Sequence, residues 1–393
     1  MKQNGIEAGK TPKINTTYII IQVFALLLIT FIFMLSLDLM SVAFKSLGAD
    51  IIEHIIQATS NPFISLFIGL LTTAIVQSSS TVTSMIVAVV ASGALSLESA
   101  VPMIMGANIG TTVTSTIVAL GHIIDKREFR RAFAVATVHD FFNILVTIIL
   151  FPLEYYFGML SQLSVLVTGA IINLGNKPGE LVKLTISPVS EYIKNLSNEN
   201  GILLLIISVI LLFIAIKYLT VLLKQLVIGE SQKKMDKYVF GAPGKSLLWG
   251  MVLTGAIHSS SVTTSLIVPL VAADKLSVKK AFPFIMGANI GTTITAMIAA
   301  ISKSEAALSI ALAHVLFNVI GVLIFYPIPA IRNIPVQLAR SLGSLTVKNR
   351  LIGLVYIILT FFLIPFLLIS LVEPKNNKNK PSSVQEVPSK EVR

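Results

Sequence analysis

Two polar motifs embedded in long apolar runs occur twice in this chain at a fixed separation, and that duplication limits its possible folds more than any other feature. The first copy reads Gln77-Ser78-Ser79-Ser80-Thr81-Val82-Thr83-Ser84 and, after an apolar run, Gly106-Ala107-Asn108-Ile109-Gly110-Thr111-Thr112. The second reads His258-Ser259-Ser260-Ser261-Val262-Thr263-Thr264-Ser265 and then Gly287-Ala288-Asn289-Ile290-Gly291-Thr292-Thr293. Both motifs are offset by 181 positions, and about half of the residues from Gly69 to Thr114 match those 181 further on. Downstream, His139, Asn143 and Pro152 recur as His314, Asn318 and Pro327 at an offset of 175. The chain is internally duplicated.

The surroundings of the motifs set the solvent. Hydrophobic residues make up 54% of the chain and charged ones 12%, and several apolar runs reach the roughly 20 residues that cross a bilayer core. The sequence reads as a polytopic membrane protein. In that setting an unpaired hydroxyl or amide costs about 2–7 kcal/mol, so two polar clusters inside apolar segments call for a ligand. The net charge of +11 is a topology signal, not a nucleic-acid footprint. Lys and Arg gather in residues 125–131, 217–245, 275–280 and 332–350, all on one side of the bilayer; the positive-inside rule makes that side cytoplasmic, together with the N-terminus. The chain has no cysteine, so neither disulfides nor thiol chemistry arise. No Walker-type loop is present, so ATP is not the direct driver.

In chain order, residues 1–17 form a polar tail and residues 18–151 the first repeat. Within it, 62–92 reads as a re-entrant hairpin, since each limb is too short to cross, with its tip at Gln77–Ser80. Residues 98–120 read as a spanning helix broken where Gly106 and Gly110 flank Asn108. Residues 152–200 form a connecting segment, extracellular or interfacial. The second repeat covers 201–327, with hairpin 247–273 and broken helix 279–301. A basic loop and last span fill 328–372, and 373–393 is a charged, disordered tail. Three crossings per repeat invert the second copy relative to the first. The expected fold is therefore an all-α polytopic membrane protein of two inverted repeats, each with a re-entrant hairpin and a broken transmembrane helix.

Inverted repeats whose broken elements meet at the midplane describe a secondary transporter. Each tip is followed at once by a helix start, which offers unpaired amides and the positive end of a dipole to an anion. Ser79, Ser80, Ser260 and Ser261 are placed to cap these helices. With Ser78, Ser259, Asn108 and Asn289 they form the candidate anion site, able to enclose a tetrahedral oxyanion without Arg or Lys. Hard oxygens for Na⁺ come from Gln77, Thr111, Thr114, Thr292, Thr295 and Asp140. His139 with Asn143, and His314 with Asn318, each share a helix face one turn apart and read as interhelical hydrogen-bonding pairs beside those sites. Isolated Ser and Thr in membrane helices usually bond back to the preceding turn; three consecutive serines at matched positions in two copies do not fit that reading.

These residues carry a family resemblance. The paired Ser-Ser-Ser tips, the two Gly-Ala-Asn-Ile-Gly-Thr-Thr segments, Glu128-Phe129-Arg130-Arg131-Ala132-Phe133, Val138-His139-Asp140-Phe141-Phe142-Asn143, and Tyr326-Pro327-Ile328-Pro329 following Phe317-Asn318 resemble the type II sodium–phosphate cotransporters. The likeness covers roughly residues 60–150 and 245–370, and it is similar to a bacterial member, lacking the cysteine-bearing extracellular loop of animal relatives. The resemblance implies sodium-driven uptake of inorganic phosphate across the plasma membrane, with the serine tips as phosphate site, sodium ligands at Gln77, Ser259, Thr292 and Thr295, and no organic cofactor. Asp140 stands where electrogenic members keep an Asp. His258 departs from the family's Gln; it ligates as a neutral imidazole, or weakens one sodium site, or lets a proton stand in for that ion.

Two other readings compete. A sodium-coupled carrier of another oxyanion or a dicarboxylate uses similar hairpins, but doubled Ser-Ser-Ser tips suit a compact tetrahedral ion. An intramembrane hydrolase would draw on Ser79 or Ser260 with His139 and Asp140, yet adjacent helix residues point about 100° apart and do not form a relay.

Overall fold

A helix satisfies the backbone hydrogen bonds of an apolar segment within the segment itself, as a chain in lipid requires. A computed structural model describes residues 16–173, 180–227, 239–301 and 303–372, and among them secondary structure is helical throughout. Tail residues 1–15 and 373–393 and the loop lysines Lys233, Lys234 and Lys237 lie outside the described residues. The first half runs α1 (Thr16–Ser46), α2 (Ala49–Thr59), α3 (Pro62–Val76), α4 (Ser79–Ser92), α5 (Leu97–Gly110), α6 (Val113–Leu120), α7 (Lys126–Phe157), α8 (Met159–Asn173) and α9 (Glu180–Leu196). The second half runs α10 (Gly201–Val227), α11 (Pro243–Ile257), α12 (Ser260–Ser265), α13 (Ile267–Ala272), α14 (Val278–Ala300), α15 (Glu305–Phe325), α16 (Pro329–Lys348), α17 (Leu351–Ile358) and, after a π-helical turn, α18 (Ile364–Val372).

Seven helices among the described residues are long and apolar enough to cross a membrane, or eight if α2 and α3, bent by 100° at their junction, count as one span. This is a multi-pass membrane protein. The Gly-Asn spans 97–120 and 278–300 are 78% buried, whereas the most apolar windows of α1, α10 and the last span are only 28%, 33% and 22% buried. The former make the centre; the latter turn Phe24, Leu27, Ile202, Leu351 and Phe366 outward toward lipid.

Glycine fixes how each hairpin limb meets its Gly-Asn helix. A Cβ on Gly106 would lie 1.8 Å from the Leu66 carbonyl oxygen, and one on Gly69 would lie 1.9 Å from that of Met103. The matched positions repeat this: Gly287 would meet Leu247 O at 1.9 Å and Gly250 would meet Phe284 O at 2.0 Å. These glycines let backbones touch; they do not serve to break helices. Accordingly α14 runs unbroken through Gly287 and Gly291, against the expected break in 279–301. In the first copy the interruption is confined to Thr111–Thr112, where Thr112 N bonds Ile109 O in a tightened turn.

Residues 328–350 also differ from expectation. They form a helix, α16, whose Val336, Ala339, Gly343 and Thr346 are buried at helical spacing, with Gly343 against the Arg130 backbone of α7. A narrow stripe of small residues between arginines has too little apolar length to register as a helix by hydropathy. Within 152–200, α7 continues through Pro152 to Phe157, and Gly158 turns the chain at φ 57° into α8. The buried Glu154 carboxylate accepts the amides of Leu160 at 2.7 Å and Ser161 at 3.2 Å, capping α8. Asp38, the one charge within the first apolar run, accepts from Ser190 of α9 at 2.6 Å and pairs with Lys303 at 2.5 Å, joining α1, α9 and the turn before α15.

Candidate functional site

Both tips are built by the same local rule. Gln77 and His258 adopt left-handed conformations, φ 56° and 57°, that end α3 and α11. The next residue is extended and caps the following helix: Ser78 Oγ accepts from Thr81 N and Ser259 Oγ from Val262 N, each at 3.3 Å. The caps are thus Ser78 and Ser259, one position ahead of the serines expected to cap. Extended φ/ψ with a hydroxyl three residues before a free amide is what an N-cap needs, and the left-handed residue before it shifts the register by one. The cap occupies only one of the orphan amides. Those of Ser79 and Ser80, and of Ser260 and Ser261, lie at the positive dipole end of each buried helix start.

The tips meet. Ser80 Oγ donates to the His258 carbonyl at 2.8 Å across the two halves, and Ser115 Oγ lies 2.9 Å from Thr264 Oγ1. Beside this contact lies a cavity of about 510 Å³, walled by Gln77, Ser78, Thr81 and Thr114 from the first copy and His258, Ser259, Ser261 and Ser265 from the second. Val76, Val262 and Leu266 add apolar surface, and a further wall is one face of α10, carrying Phe213, Ile216, Lys217, Thr220 and Val221. Ser79 and Ser260 are buried behind the tips, and Ser260 Oγ has no partner among the described residues.

The other candidates lie deeper. His258 Nδ1 is 3.1 Å from Thr295 Oγ1, which brings that residue to the cavity edge. Thr111 and Thr292 donate their hydroxyls back to Ala107 O and Ala288 O, so they are turned into their own helices. Asn108 and Asn289 are not on the cavity wall but in a buried amide–imidazole network. His139 Nε2 lies 2.5 Å from Asn289 Oδ1, Asn289 Nδ2 donates to Asn143 Oδ1 at 2.6 Å, and Asn143 Nδ2 donates to Asn108 O at 2.7 Å. In the matched arrangement, Asn318 Nδ2 donates to Asn108 Oδ1 at 3.2 Å, but both ring nitrogens of the buried His314 lack a partner among the described residues. The interhelical bonding expected of the His–Asn pairs is therefore made by both members of the His139–Asn143 pair, though His139 Nδ1 has no partner among the described residues, and by Asn318 alone in the other pair.

Asp140, fully buried, accepts from Tyr356 Oη at 2.9 Å and Thr116 Oγ1 at 3.4 Å, while its Oδ1 has no partner among the described residues. A buried carboxylate oxygen left free is a natural cation ligand. The same bonds remove the hydrolase reading: Asp140 serves Tyr356, His139 serves Asn289, and neither addresses a tip serine.

Two residues of the site, Lys217 and Tyr356, escape a reading of the sequence. Lys217 opens the basic stretch 217–245, yet it sits within the span Gly201–Leu222; the stripe at 213, 216, 217, 220 and 221, with one charge in it, is the available signal. Tyr356 reaches Asp140 across 216 positions, and no local pattern encodes such a contact.

A family model described as Na+/Pi-cotransporter matches residues 32–172 and 211–363. The chain belongs to the Na+/Pi-cotransporter family. It is 34% identical over 423 residues to sodium-dependent phosphate transport protein 2A of Ovis aries, a match covering 87% of this chain and 66% of the relative. It is 32% identical to sodium-dependent phosphate transport protein 2B of Homo sapiens, covering 85% of this chain and 63% of the relative. The matched region is thus just under two thirds of these relatives' own length. No solved structure matches the chain. The Na+/Pi-cotransporter assignment makes this chain a member of a transporter family and not of an enzyme family.

Proposed function

We propose that this chain is a sodium-coupled symporter that imports inorganic phosphate, using alternating access around the cavity between the two tips, in the plasma membrane with its N-terminus cytoplasmic. Family membership supports it, and so do the names of its relatives. The observation that carries it is the direct bond between Ser80 and His258, which brings two helix starts from duplicate halves to one cavity. Phosphate is bound there by first-turn amides and by the hydroxyls of Ser78, Ser259 and Ser261. Dipoles hold an oxyanion firmly enough to enter yet release it more readily than a bidentate Arg would. Sodium ions, as co-transported cargo, are ligated by Gln77, His258, Thr295 and the free oxygen of Asp140. No organic cofactor is involved. In this reading the two halves are inverted, so closing one entrance opens the other.

The test is purified protein in liposomes under an imposed inward sodium gradient. Radiolabelled phosphate accumulates, Ser80→Ala and Ser261→Ala reduce the initial rate at least about tenfold, and arsenate competes while sulfate and succinate do not. Accumulation that is indifferent to sodium would refute the coupling; competition by succinate would refute the tetrahedral specificity.

A further inference from the structure

The wall of the cavity facing the tips holds a group that the dipole account of anion binding does not use. We infer that Lys217 is an affinity-setting residue for the transported oxyanion, its ammonium supplying a full positive charge on the cavity wall. The inference rests on the proposed transport site.

Among the described residues, Lys217 is the sole ionisable side chain lining the cavity apart from His258; every other polar wall residue among them is a hydroxyl or an amide. On that wall Phe213 stands four residues and Ile216 one residue before it, and Thr220 and Val221 stand three and four after it, the spacing of one helix face. One continuous face of α10 therefore looks into the cavity, and Lys217 lies in the middle of that face. Among the described residues no carboxylate pairs with it, so its charge is not cancelled locally. A cation within an apolar span is costly and marks a pathway more often than a packing role. In a cleft with low-dielectric walls a single charge focuses the field and raises the local anion concentration. It acts over a distance that the tip amides, whose dipoles fall off within one turn, do not cover. The division of labour is physical: Lys217 draws the anion in, and neutral donors hold it without trapping it.

The rival use of the same chemistry is a lipid phosphate. A lysine stem can lie along apolar surface and deliver its ammonium to headgroups, so the experiment separates dissolved phosphate from lipid. Binding of radiolabelled phosphate to detergent-purified protein in sodium is measured first, then uptake in liposomes of neutral phosphatidylcholine and in liposomes containing anionic lipid. Lys217→Gln raises the phosphate KM and the binding Kd about tenfold, with maximal rate and sodium half-saturation unchanged. Lys217→Arg restores both, and the rise of KM with ionic strength seen in wild type is flattened in Lys217→Gln. The same shifts occur in neutral and anionic membranes. An unchanged Kd in Lys217→Gln overturns the inference, as does a defect that appears only when anionic lipid is present, which assigns the residue to headgroups. Wild-type protein that binds phosphate through Lys217 but fails to transport it leaves the inference standing and removes the transport reading; wild type that binds none removes both.

Discussion

The two copies share a backbone plan and differ in where their helices break and in side-chain chemistry. In both, glycines press a hairpin limb against the Gly-Asn helix, with carbonyl oxygens 1.8–2.0 Å from where a Cβ would stand. In both, a left-handed residue ends the limb and a serine caps the next helix. Yet α4 is one continuous helix where the second copy splits at Leu266 into α12 and α13. Pro269 accounts for the split, since it cannot donate to the turn before it. The His139–Asn289–Asn143 chain is closed at 2.5–2.6 Å, whereas His314 stands unpartnered among the described residues. Asp140 has Val315 at its matched position. Duplication supplies a shared frame, and the departures from it place Asp140 in the first copy and His258 and Lys217 in the second.

Six substitutions, in four tests, break or sharpen this comparison. The largest effect belongs to the shared frame. Gly106→Ala and Gly287→Ala each insert a Cβ where a carbonyl oxygen lies 1.8–1.9 Å away, so each costs more than about 3 kcal/mol and removes monodisperse protein from size-exclusion profiles. A variant that purifies with the wild-type melting curve disproves equivalence at that position.

The next concerns the carboxylate present in one copy only. Under the electrogenic reading, three Na⁺ with divalent phosphate move one net charge, worth ~2.3 kcal/mol per 100 mV. Asp140→Asn therefore abolishes the voltage dependence of sodium-driven uptake, read as current in proteoliposomes. Wild-type uptake without current, or a current that survives the substitution, rejects the role given to Asp140.

The amide–imidazole network gives a smaller, signed contrast. His139→Leu removes a ring bonded to Asn289 and lowers thermal stability by about 1–2 kcal/mol. His314→Leu removes a buried ring without partners among the described residues and is neutral or stabilising. Equal losses in the two variants would show that the network is as complete around His314 as around His139.

The smallest effect lies at the start of each repeat's last long helix. Asp125 caps α7, and Ser304 caps α15. The amides of Glu128 and then Arg127 hold the Asp125 carboxyl below the usual carboxylate range. Since the folded pKa is the lower one, this cap's contribution is complete above the ordinary carboxylate pKa and is lost as pH falls through the depressed value. Amide exchange in the first turn of α7 accelerates on acidification relative to that of α15 once intrinsic rates are divided out, and Asp125→Ser abolishes the difference. A wild-type difference that ignores pH would contradict the assignment.

Local patterns disclosed much of this. Apolar run length marked the spanning helices, and the offset of 181 located both tips, because a run of serines within an apolar segment is costly unless it binds something. The α16 stripe and the continuity of α14 were hidden, since hydropathy averages over an amphipathic helix and glycine propensity says nothing about a neighbouring backbone. The serine register shifted by one because left-handed Gln77 and His258 are decided by the turn and not by their own side chains.

Sequence alone determined that this is a duplicated, all-helical membrane protein with two hydroxyl-rich tips. Residue type and spacing act over one or two helical turns, and those features are local. Tertiary structure alone decided that Ser80 touches His258, that Asn108 and Asn289 serve a buried network and not the cavity wall, that Tyr356 supports Asp140, and that Lys217 faces the cavity. Each of these depends on which surfaces of distant helices are pressed together, and packing of the whole chain sets that choice.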